Sequence, residues 1–336
     1  ALRVTSKLSR GPNIVAIGGG TGLSTLLKGL KNYSSNISAI VTVTDDGGSS
    51  GKLRKELGVQ PPGDIRNCLA ALSNEEPTLT RLFQYRFSGG SGLEGHSFGN
   101  LFLSALTTIT GSLEKAVQAS SKVLSVQGQV IPATGIDVML WAELEDGEKI
   151  FGESVIGESI KPISRIGCLP ENPPALQTAI DAIREADLIV LGPGSLYTSL
   201  LPNLLVPEIV EALLNNNSPK IYISNLMTQP GETDGLDVDQ HIKAIEKQLF
   251  NFGVNTRIFN AILSQGEIEQ SSLLDYYLSR GAEPVICNKK KLVDEGYYVL
   301  QAPLYSKRIT PTLRHDHRRL SRAVMFLYRK IKKSNQ

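Results

Sequence analysis

Short apolar runs that stop at glycine or aspartate open the chain. Residues 13–17 form the first run and end at Gly18, and residues 37–43 form the second and end at Asp45 and Asp46. Continuous runs of this length are typical of parallel strands that are covered on both faces. Because residues 23–30 between them have helical spacing, the chain is predicted to begin with a βαβ unit.

The alternation of strand and helix patterns continues to about residue 224. Alternating positions on both sides of Asp146-Gly147 predict a hairpin. Repeated strand–helix units predict an α/β fold, namely a Rossmann-like, doubly wound, mostly parallel sheet with helices on both faces and a small β-hairpin insertion. Further helices are predicted at residues 65–72, 79–87, 98–123 with a break near Gly111, 175–185 and 209–214, and further strands at 188–191 and 220–224.

The chain has 336 residues, a length that suits one large domain or two unequal lobes. We predict an N-terminal tail at residues 1–12 and a basic C-terminal tail at residues 326–336. Between them, residues 13–325 are predicted to form a single large Rossmann-like nucleotide-binding domain, with the β insertion at about residues 126–156.

Composition and charge narrow the class of protein. Lys and Arg total 35 against 33 Asp and Glu, which argues against a dedicated nucleic-acid binder, so no nucleic-acid partner is predicted. The three cysteines, Cys68, Cys168 and Cys287, have neither zinc-site spacing nor a disulfide framework. Together with the absence of a run of roughly 18 apolar residues, this predicts a cytoplasmic protein. A membrane anchor upstream of Ala1 is left open.

Three glycine-rich loops follow predicted strands, at residues 18–22, 45–51 and 192–195. In open α/β sheets ligands bind at the carboxyl ends of strands, where helix N-termini offer free N–H groups to phosphates. The alternative is a set of tight turns that bind nothing. Standard fingerprints fail, because Leu23 and Leu53 stand where a dinucleotide motif and a P-loop need Gly and Ser or Thr. The ligand-binding residues predicted in these loops are Gly19, Gly20, Thr21, Gly22, Gly47, Ser49, Ser50, Gly192, Gly194 and Ser195.

Two adjacent carboxylates, Asp45 and Asp46, end the second strand, and they should point to opposite faces. Each is a candidate ligand for Mg²⁺ or for a ribose hydroxyl, and the alternative is a turn residue that caps Gly47. Asp64 is either a second oxygen ligand for the same metal or a helix N-cap. Lys52 is a candidate phosphate contact, with a solvated helix face as the alternative.

His96 and Asn100 lie one helical turn apart and are candidate contacts to a base or ribose, although a lone histidine is usually structural. No Ser–His–Asp set and no cysteine nucleophile with a general base can be identified. The sequence therefore predicts binding more strongly than catalysis, and no catalytic residue is assigned.

Six motifs taken together are more specific than any one alone. In order, they closely resemble the gluconeogenesis factor family (YvcK-like proteins), a branch of the superfamily that contains 2-phospho-L-lactate transferase (CofD). The resemblance runs from about residue 13 to residue 325. The motifs are residues 17–24 (IGGGTGLS), 43–51 (VTDDGGSSG), 61–66 (PPGDIR), 95–100 (GHSFGN), 192–197 (GPGSLY) and 225–234 (NLMTQPGETD).

The resemblance implies a nucleotide-sugar ligand, UDP-glucose or UDP-N-acetylglucosamine, and a role in cell shape and wall metabolism on gluconeogenic carbon sources. Because several phosphate loops occur without an identifiable nucleophile or base, the leading hypothesis is a regulatory protein that reports nucleotide-sugar status to a protein partner in envelope synthesis. The hairpin around Trp141 is the candidate partner surface, and a homo-oligomer is left open. Asn225 of the last motif is counted among the ligand contacts. Arg314 is counted with it because a guanidinium suits a pyrophosphate, with a solvated basic helix as its alternative.

The rival hypothesis is an Mg²⁺-dependent transferase that acts on a nucleotide-activated substrate. In the transferase branch, acidic residues after the second strand and further downstream hold Mg²⁺, and Asp45 or Asp46 and Asp64 match those positions. The residues at 45–51 have the form of the gluconeogenesis branch, which argues against transferase activity. Mg²⁺ is the one cofactor that the resemblance implies.

Overall fold

The computed structural model describes residues 7–60, 63–74, 77–90, 92–306 and 312–334. Its strands are β1 (Ile14–Gly18), β2 (Ile37–Val41), β3 (Gln129–Pro132), β4 (Met139–Leu144), β5 (Lys149–Phe151), β6 (Ile163–Leu169), β7 (Leu188–Leu191), β8 (Lys220–Ile223), β9 (Ala261–Gln265) and β10 (Tyr298–Ala302).

The helices follow in the same numbering. A π-helical turn (Leu196–Leu200) and a 3-10 turn (Leu201–Leu205) lie between α8 and α9. The α-helices are α1 (Gly20–Leu30), α2 (Gly48–Leu57), α3 (Gly63–Leu72), α4 (Pro77–Gln84), α5 (Phe98–Thr110), α6 (Leu113–Val123), α7 (Glu153–Glu158), α8 (Gln177–Arg184), α9 (Pro207–Asn215), α10 (Val238–Phe250), α11 (Ser272–Leu278), α12 (Lys289–Asp294) and α13 (His317–Ser334).

Seven strands form one parallel sheet in the order β10-β9-β8-β7-β1-β2-β3. The chain builds outward from β1 in one direction through β2 and β3, then returns to the other side of β1 and continues from β7 to β10. This reversal beside β1 is the topological switch point of a doubly wound fold. The predicted Rossmann-like α/β class is confirmed.

The buried strands explain why the sequence pattern was informative. All five residues of β1 are buried, because β2 and β7 flank it in the sheet and helices cover both faces. Helix α1 packs against α3 and α13 with its leucines in the core. The predicted break near Gly111 is also confirmed, since Gly111 ends α5 with a φ of 81° before α6 begins. Burial of such apolar surface is the main favourable term in folding.

The insertion differs from its prediction in extent. The hairpin of β4 and β5 turns at Asp146-Gly147 as predicted, but β6 completes an antiparallel sheet in the order β5-β4-β6. Residues 129–132, placed in the insertion by their sequence, are instead the edge strand β3 of the large sheet. The side chains of Lys149 and Arg165 lie over the ring of Trp141, the residue at the centre of the predicted partner surface.

The predicted C-terminal tail is wrong for residues 326–334. Helix α13 continues through them, and Leu327, Tyr328 and Ile331 on its inner face are buried. Basic residues on the outer face hid this amphipathic pattern. Residues 335–336 of the predicted tail, and residues 1–6 of the predicted N-terminal tail, lie outside the described residues. No helix in the described part of the chain combines the length and apolar character needed to cross a membrane.

Candidate functional site

A cleft of about 260 Å³ opens at the carboxyl ends of β1, β7 and β8. It lies at the switch point, where ligands of open α/β sheets bind. Six predicted ligand contacts are brought together there: Thr21, Gly22, Gly194, Ser195, Asn225 and Arg314. The rest of the lining was not predicted as ligand contacts, and it includes Thr25, Gln229, Tyr277, Leu313 and His315.

Gly22 allows close contact between two walls of the cleft, helix α1 and the loop after β7. It lies in the first turn of α1, which packs directly on the backbone of the loop after β7. A Cβ at this position would overlap the Pro193 carbonyl oxygen and lie 3.2 Å from the Gly194 nitrogen. Gly192, at the end of β7, has a φ of 89°, a conformation that favours glycine. Glycine at these positions is therefore required by the cleft's own geometry.

A chain of amides and hydroxyls holds the loop after β7. The Gly194 N–H donates to Asn225 Oδ1 at 3.3 Å, and Asn225 Nδ2 donates to Gln229 Oε1 at 3.2 Å. Gln229 Nε2 then donates to Ser195 Oγ at 2.7 Å. Because the Ser195 hydroxyl accepts from Gln229, its own proton remains available to a ligand. Asn225 thus supports the loop after β7, and Gln229, which was not among the predicted contacts, extends this support to Ser195.

The opposite wall of the cleft comes from residues just before α13. Arg314 is exposed on this wall, and the Leu313 N–H donates to the Tyr277 hydroxyl at 3.2 Å. Burial lowers the pKa of His315 to about 4, so its imidazole is neutral at pH 7. His315 Nε2 is buried and has no hydrogen-bond partner among the described residues. Buried polar atoms are usually paired, so this atom is a further candidate ligand contact.

The glycine loop after β1 is less open than its sequence predicts. The Gly20 N–H donates to the Asp64 carboxylate, and a Cβ on Gly19 would lie 2.6 Å from Asp64 Oδ2. Burial, followed by the negative charge of Asp45, raises the pKa of Asp64 to about 6. The Gly20 amide that was predicted to bind a ligand phosphate therefore binds a carboxylate of the protein itself.

Asp45 and Asp46 point to different partners, as the alternation along an extended chain predicts. Asp45 Oδ1 accepts from the Gly47 N–H at 3.0 Å, which is the turn contact weighed as its alternative role. Asp46 Oδ1 accepts from the Ser154 N–H at 2.8 Å. Since Ser154 is in the first turn of α7, Asp46 connects the large sheet to the insertion.

Glu153 joins these aspartates, although no sequence signal indicated it. Its Oε2 accepts from the Thr44 hydroxyl at 2.6 Å, across 109 positions of the chain. Burial, then the charge of Asp64, raises its pKa well above the usual value. Asp45, Asp46, Asp64 and Glu153 form an acidic cluster, separated from the cleft by Gly19. Only the fold brings Glu153 into this cluster.

The acidic cluster contains the three residues predicted to hold Mg²⁺, Asp45, Asp46 and Asp64. No group of three or more His, Cys, Asp or Glu among the described residues has the arrangement of a metal site. Mg²⁺ commonly takes only one or two carboxylates, together with waters and substrate phosphates. Asp45 and Asp64, whose charges act on each other, fit that pattern, whereas one Asp46 oxygen already accepts from Ser154.

Four predicted contacts are buried outside the cleft and bond to each other. Ser49 Oγ lies 3.1 Å from His96 Nδ1, and Asn100 Nδ2 donates to Ser50 Oγ at 3.3 Å. These bonds tie the start of α2 to the start of α5, so the structural alternative for His96 is the one observed. Lys52 is exposed on α2 and does not line the cleft, which matches its solvated-face alternative.

The family model described as 2-phospho-L-lactate transferase CofD matches residues 14–305. The chain therefore belongs to the CofD family. This confirms the resemblance carried by the six motifs.

Within the family, the chain is similar to named gluconeogenesis factors. That of Halalkalibacterium halodurans is 47% identical over 319 residues, covering 93% of this chain and 95% of its own length. The gluconeogenesis factor of Bacillus subtilis is 48% identical over 305 residues, covering 91% and 94% respectively. An X-ray crystal structure of a Bacillus halodurans protein superposes with a TM-score of 0.89 at 47% identity, covering 94% of this chain and all of that one.

Proposed function

We propose that the protein binds a UDP-sugar, UDP-glucose or UDP-N-acetylglucosamine, in the cleft and acts as a regulatory gluconeogenesis factor. The observation that carries this proposal is the convergence of Arg314, Ser195 and Thr21 on one cavity at the switch point of the sheet. An exposed guanidinium beside two hydroxyls suits a diphosphate. The names of the relatives support the physiological role.

The donors that bind the diphosphate differ from those expected of a bare glycine loop. The Gly20 and Gly194 amides already have partners within the protein. Charge from Arg314 and hydroxyls from Ser195 and Thr21 therefore carry the phosphate contacts. The neutral imidazole of His315, whose Nε2 has no hydrogen-bond partner in the described part of the chain, is the proposed contact to the base or the sugar.

A regulatory role would connect ligand binding to the proposed functions in wall metabolism and cell shape. Bound UDP-sugar would report nucleotide-sugar supply to a protein partner in envelope synthesis, and so couple wall metabolism and cell shape to growth on gluconeogenic carbon. The small sheet around Trp141 is the proposed partner surface. We place this activity in the cytoplasm, and self-association of the chain is part of the same hypothesis.

Replacing Arg314 by alanine should weaken UDP-sugar binding by about 10- to 100-fold, because a hydrogen bond to a charged group contributes about 1.5–3 kcal/mol. Isothermal titration calorimetry with UDP-N-acetylglucosamine and UDP-glucose measures the change. Arg318→Ala, an exposed arginine outside the cleft lining, is the matched control and should bind normally. The absence of binding heat at about 1 mM ligand in the unsubstituted protein would refute the proposal.

The second candidate is an Mg²⁺-dependent transferase, favoured by the family match and by the paired Asp45 and Asp64. These two residues would hold the ion, which would neutralise charge on a transferring phosphoryl group. Product formation from a nucleotide-activated phospholactate and a deazaflavin alcohol, followed by phosphorus NMR, tests it. Asp45→Asn should abolish turnover while leaving UDP-sugar binding intact, and no product from the unsubstituted protein excludes this activity.

A further inference from the structure

A second cavity, of about 300 Å³, lies between the small sheet and α10. It shares no lining residue with the cleft. Gln240, Lys243, Ala244, Lys247, Gln248 and Asn251 recur at helical spacing, so they form one face of α10 and one wall of the cavity. The loop before α10 and the start of β6 close the other side. Nothing in the proposed nucleotide-binding function uses this space.

One end of the cavity holds a buried carboxyl group that is only half satisfied. Glu232 is 6% exposed, and its Oε1 accepts from the Thr198 hydroxyl at 3.1 Å. Its Oε2 is buried and has no hydrogen-bond partner among the described residues. Burial raises the pKa of Glu232 to about 7, against the opposing effects of hydrogen bonds from the Thr198 hydroxyl and the Tyr197 backbone N–H. Because buried polar atoms are usually paired, the unpartnered Oε2 indicates a missing hydrogen-bond partner.

The α10 wall carries a cation that no carboxylate neutralises. Lys243 pairs with Asp239 at 2.7 Å, and Arg165 pairs with Glu143 at 2.7 Å. Lys247 instead donates to the Ser164 carbonyl at 3.1 Å, and no acidic group within the described ranges lies within ion-pair distance of it. Its ammonium group is therefore free to bind an anionic ligand.

We propose that this cavity is a second ligand site, and that it takes a small polyol bearing one phosphate, such as a hexose phosphate. Glu232 and the amides of Gln240, Gln248 and Asn251 suit hydroxyl groups, which both donate and accept. Lys247 suits the phosphate. Ile163 and Ala244 supply an apolar surface for the faces of a sugar ring. The lining is mostly polar and charged, which suits a hydroxylated, phosphate-bearing ligand better than an apolar one.

Calorimetry of the full chain with glucose 6-phosphate tests the site, with glucose and inorganic phosphate titrated in parallel. Glucose 6-phosphate should bind at one site per chain, and each of the two parts should bind at least about tenfold more weakly. Lys247→Met should weaken glucose 6-phosphate binding about tenfold or more, through loss of the phosphate contact. Ala244→Leu should weaken it by filling the cavity without changing any charge.

Two control variants show whether binding depends on this cavity in particular. Lys122→Met, on an exposed lysine of α6, should leave binding unchanged, and so should Arg318→Ala, which lies outside the linings of both the cavity and the cleft. Circular dichroism checks that each variant is folded. The proposal is overturned by any of three results: no saturation at about 1 mM glucose 6-phosphate, equal affinity for inorganic phosphate, or binding that survives both Lys247→Met and Ala244→Leu.

Discussion

Gly22→Ala is expected to leave a folded protein that binds UDP-sugars about 100-fold more weakly than the unsubstituted chain. Alanine is the better helix former, so helix propensity favours the change in the first turn of α1. The loss is steric, because the new Cβ overlaps the Pro193 carbonyl oxygen and lies 2.8 Å from its carbonyl carbon. Backbone atoms cannot rotate away, so α1 and the loop after β7 must separate, and a misplacement of about 1 Å can cost about 100-fold.

The stability of Gly22→Ala should fall by only about 1–3 kcal/mol, the usual range for an overpacked site. Gly157→Ala in α7 is the matched control, since a Cβ there meets no atom within 4 Å. It should keep full binding and gain up to about 1 kcal/mol. Amide hydrogen exchange at Gly194 and Ser195 should be faster in Gly22→Ala, whatever ligand the cleft binds. Faster exchange without a loss of UDP-sugar affinity would mean that the proposed ligand is wrong, whereas unchanged exchange would mean that the proposed contact between α1 and the loop after β7 is wrong. Affinity within threefold of the unsubstituted protein contradicts this account.

Strands were predicted most accurately from the sequence where a local run of apolar residues is also buried in the fold. Strand β7 has the predicted bounds, because a short apolar run between a helix and a glycine loop admits few other structures. Strand β6 was not predicted, since its alternation of buried residues with exposed ones such as Arg165 resembles a polar connection. Its pairing with β4 is a long-range choice that a single stretch of sequence does not contain.

The candidate site was predicted in its parts but not in its contacts. Glycine and hydroxyl residues that follow β1 and β7 do line the cleft, at the place where ligands of open α/β sheets bind. The partner of each group could not be predicted in the same way. Asp64 bonds to Gly20 only when α3 packs against α1, and Glu153 bonds to Thr44 only after the insertion folds against the large sheet. Tyr277 and His315 also line the cleft, although they come from distant segments of the chain. No sequence motif surrounds Tyr277.

Asp64→Asn is expected to stabilise the fold at neutral pH by about 3 kcal/mol. The pKa of Asp64 is raised from 3.8 to about 6, and each pKa unit corresponds to about 1.4 kcal/mol. Because the folded-state pKa is raised, the stabilising contribution is complete below about pH 4 and is lost as the pH rises through 6. Asparagine stays neutral and keeps an oxygen for the Gly20 N–H. Urea unfolding from pH 4 to pH 8 should therefore show a difference between the two proteins that grows with pH.

Glu232 also has a raised pKa, but it is present in both proteins and its contribution cancels in the difference. Glu153 does not cancel, because the charge of Asp64 helps to raise its pKa, and removing that charge adds to the stabilisation expected at neutral pH. Asp294→Asn, an exposed change on α12, should stay within about 0.5 kcal/mol of the unsubstituted protein. If Asp64→Asn is instead less stable at every pH, the bond from Gly20 requires the carboxylate, and burial is not the dominant effect. A buried carboxylate that weakens the fold at the start of α3 indicates a functional demand at this position. If that demand is the binding of Mg²⁺, Mg²⁺ should not increase the UDP-sugar affinity of Asp64→Asn, even where it increases the affinity of the unsubstituted protein.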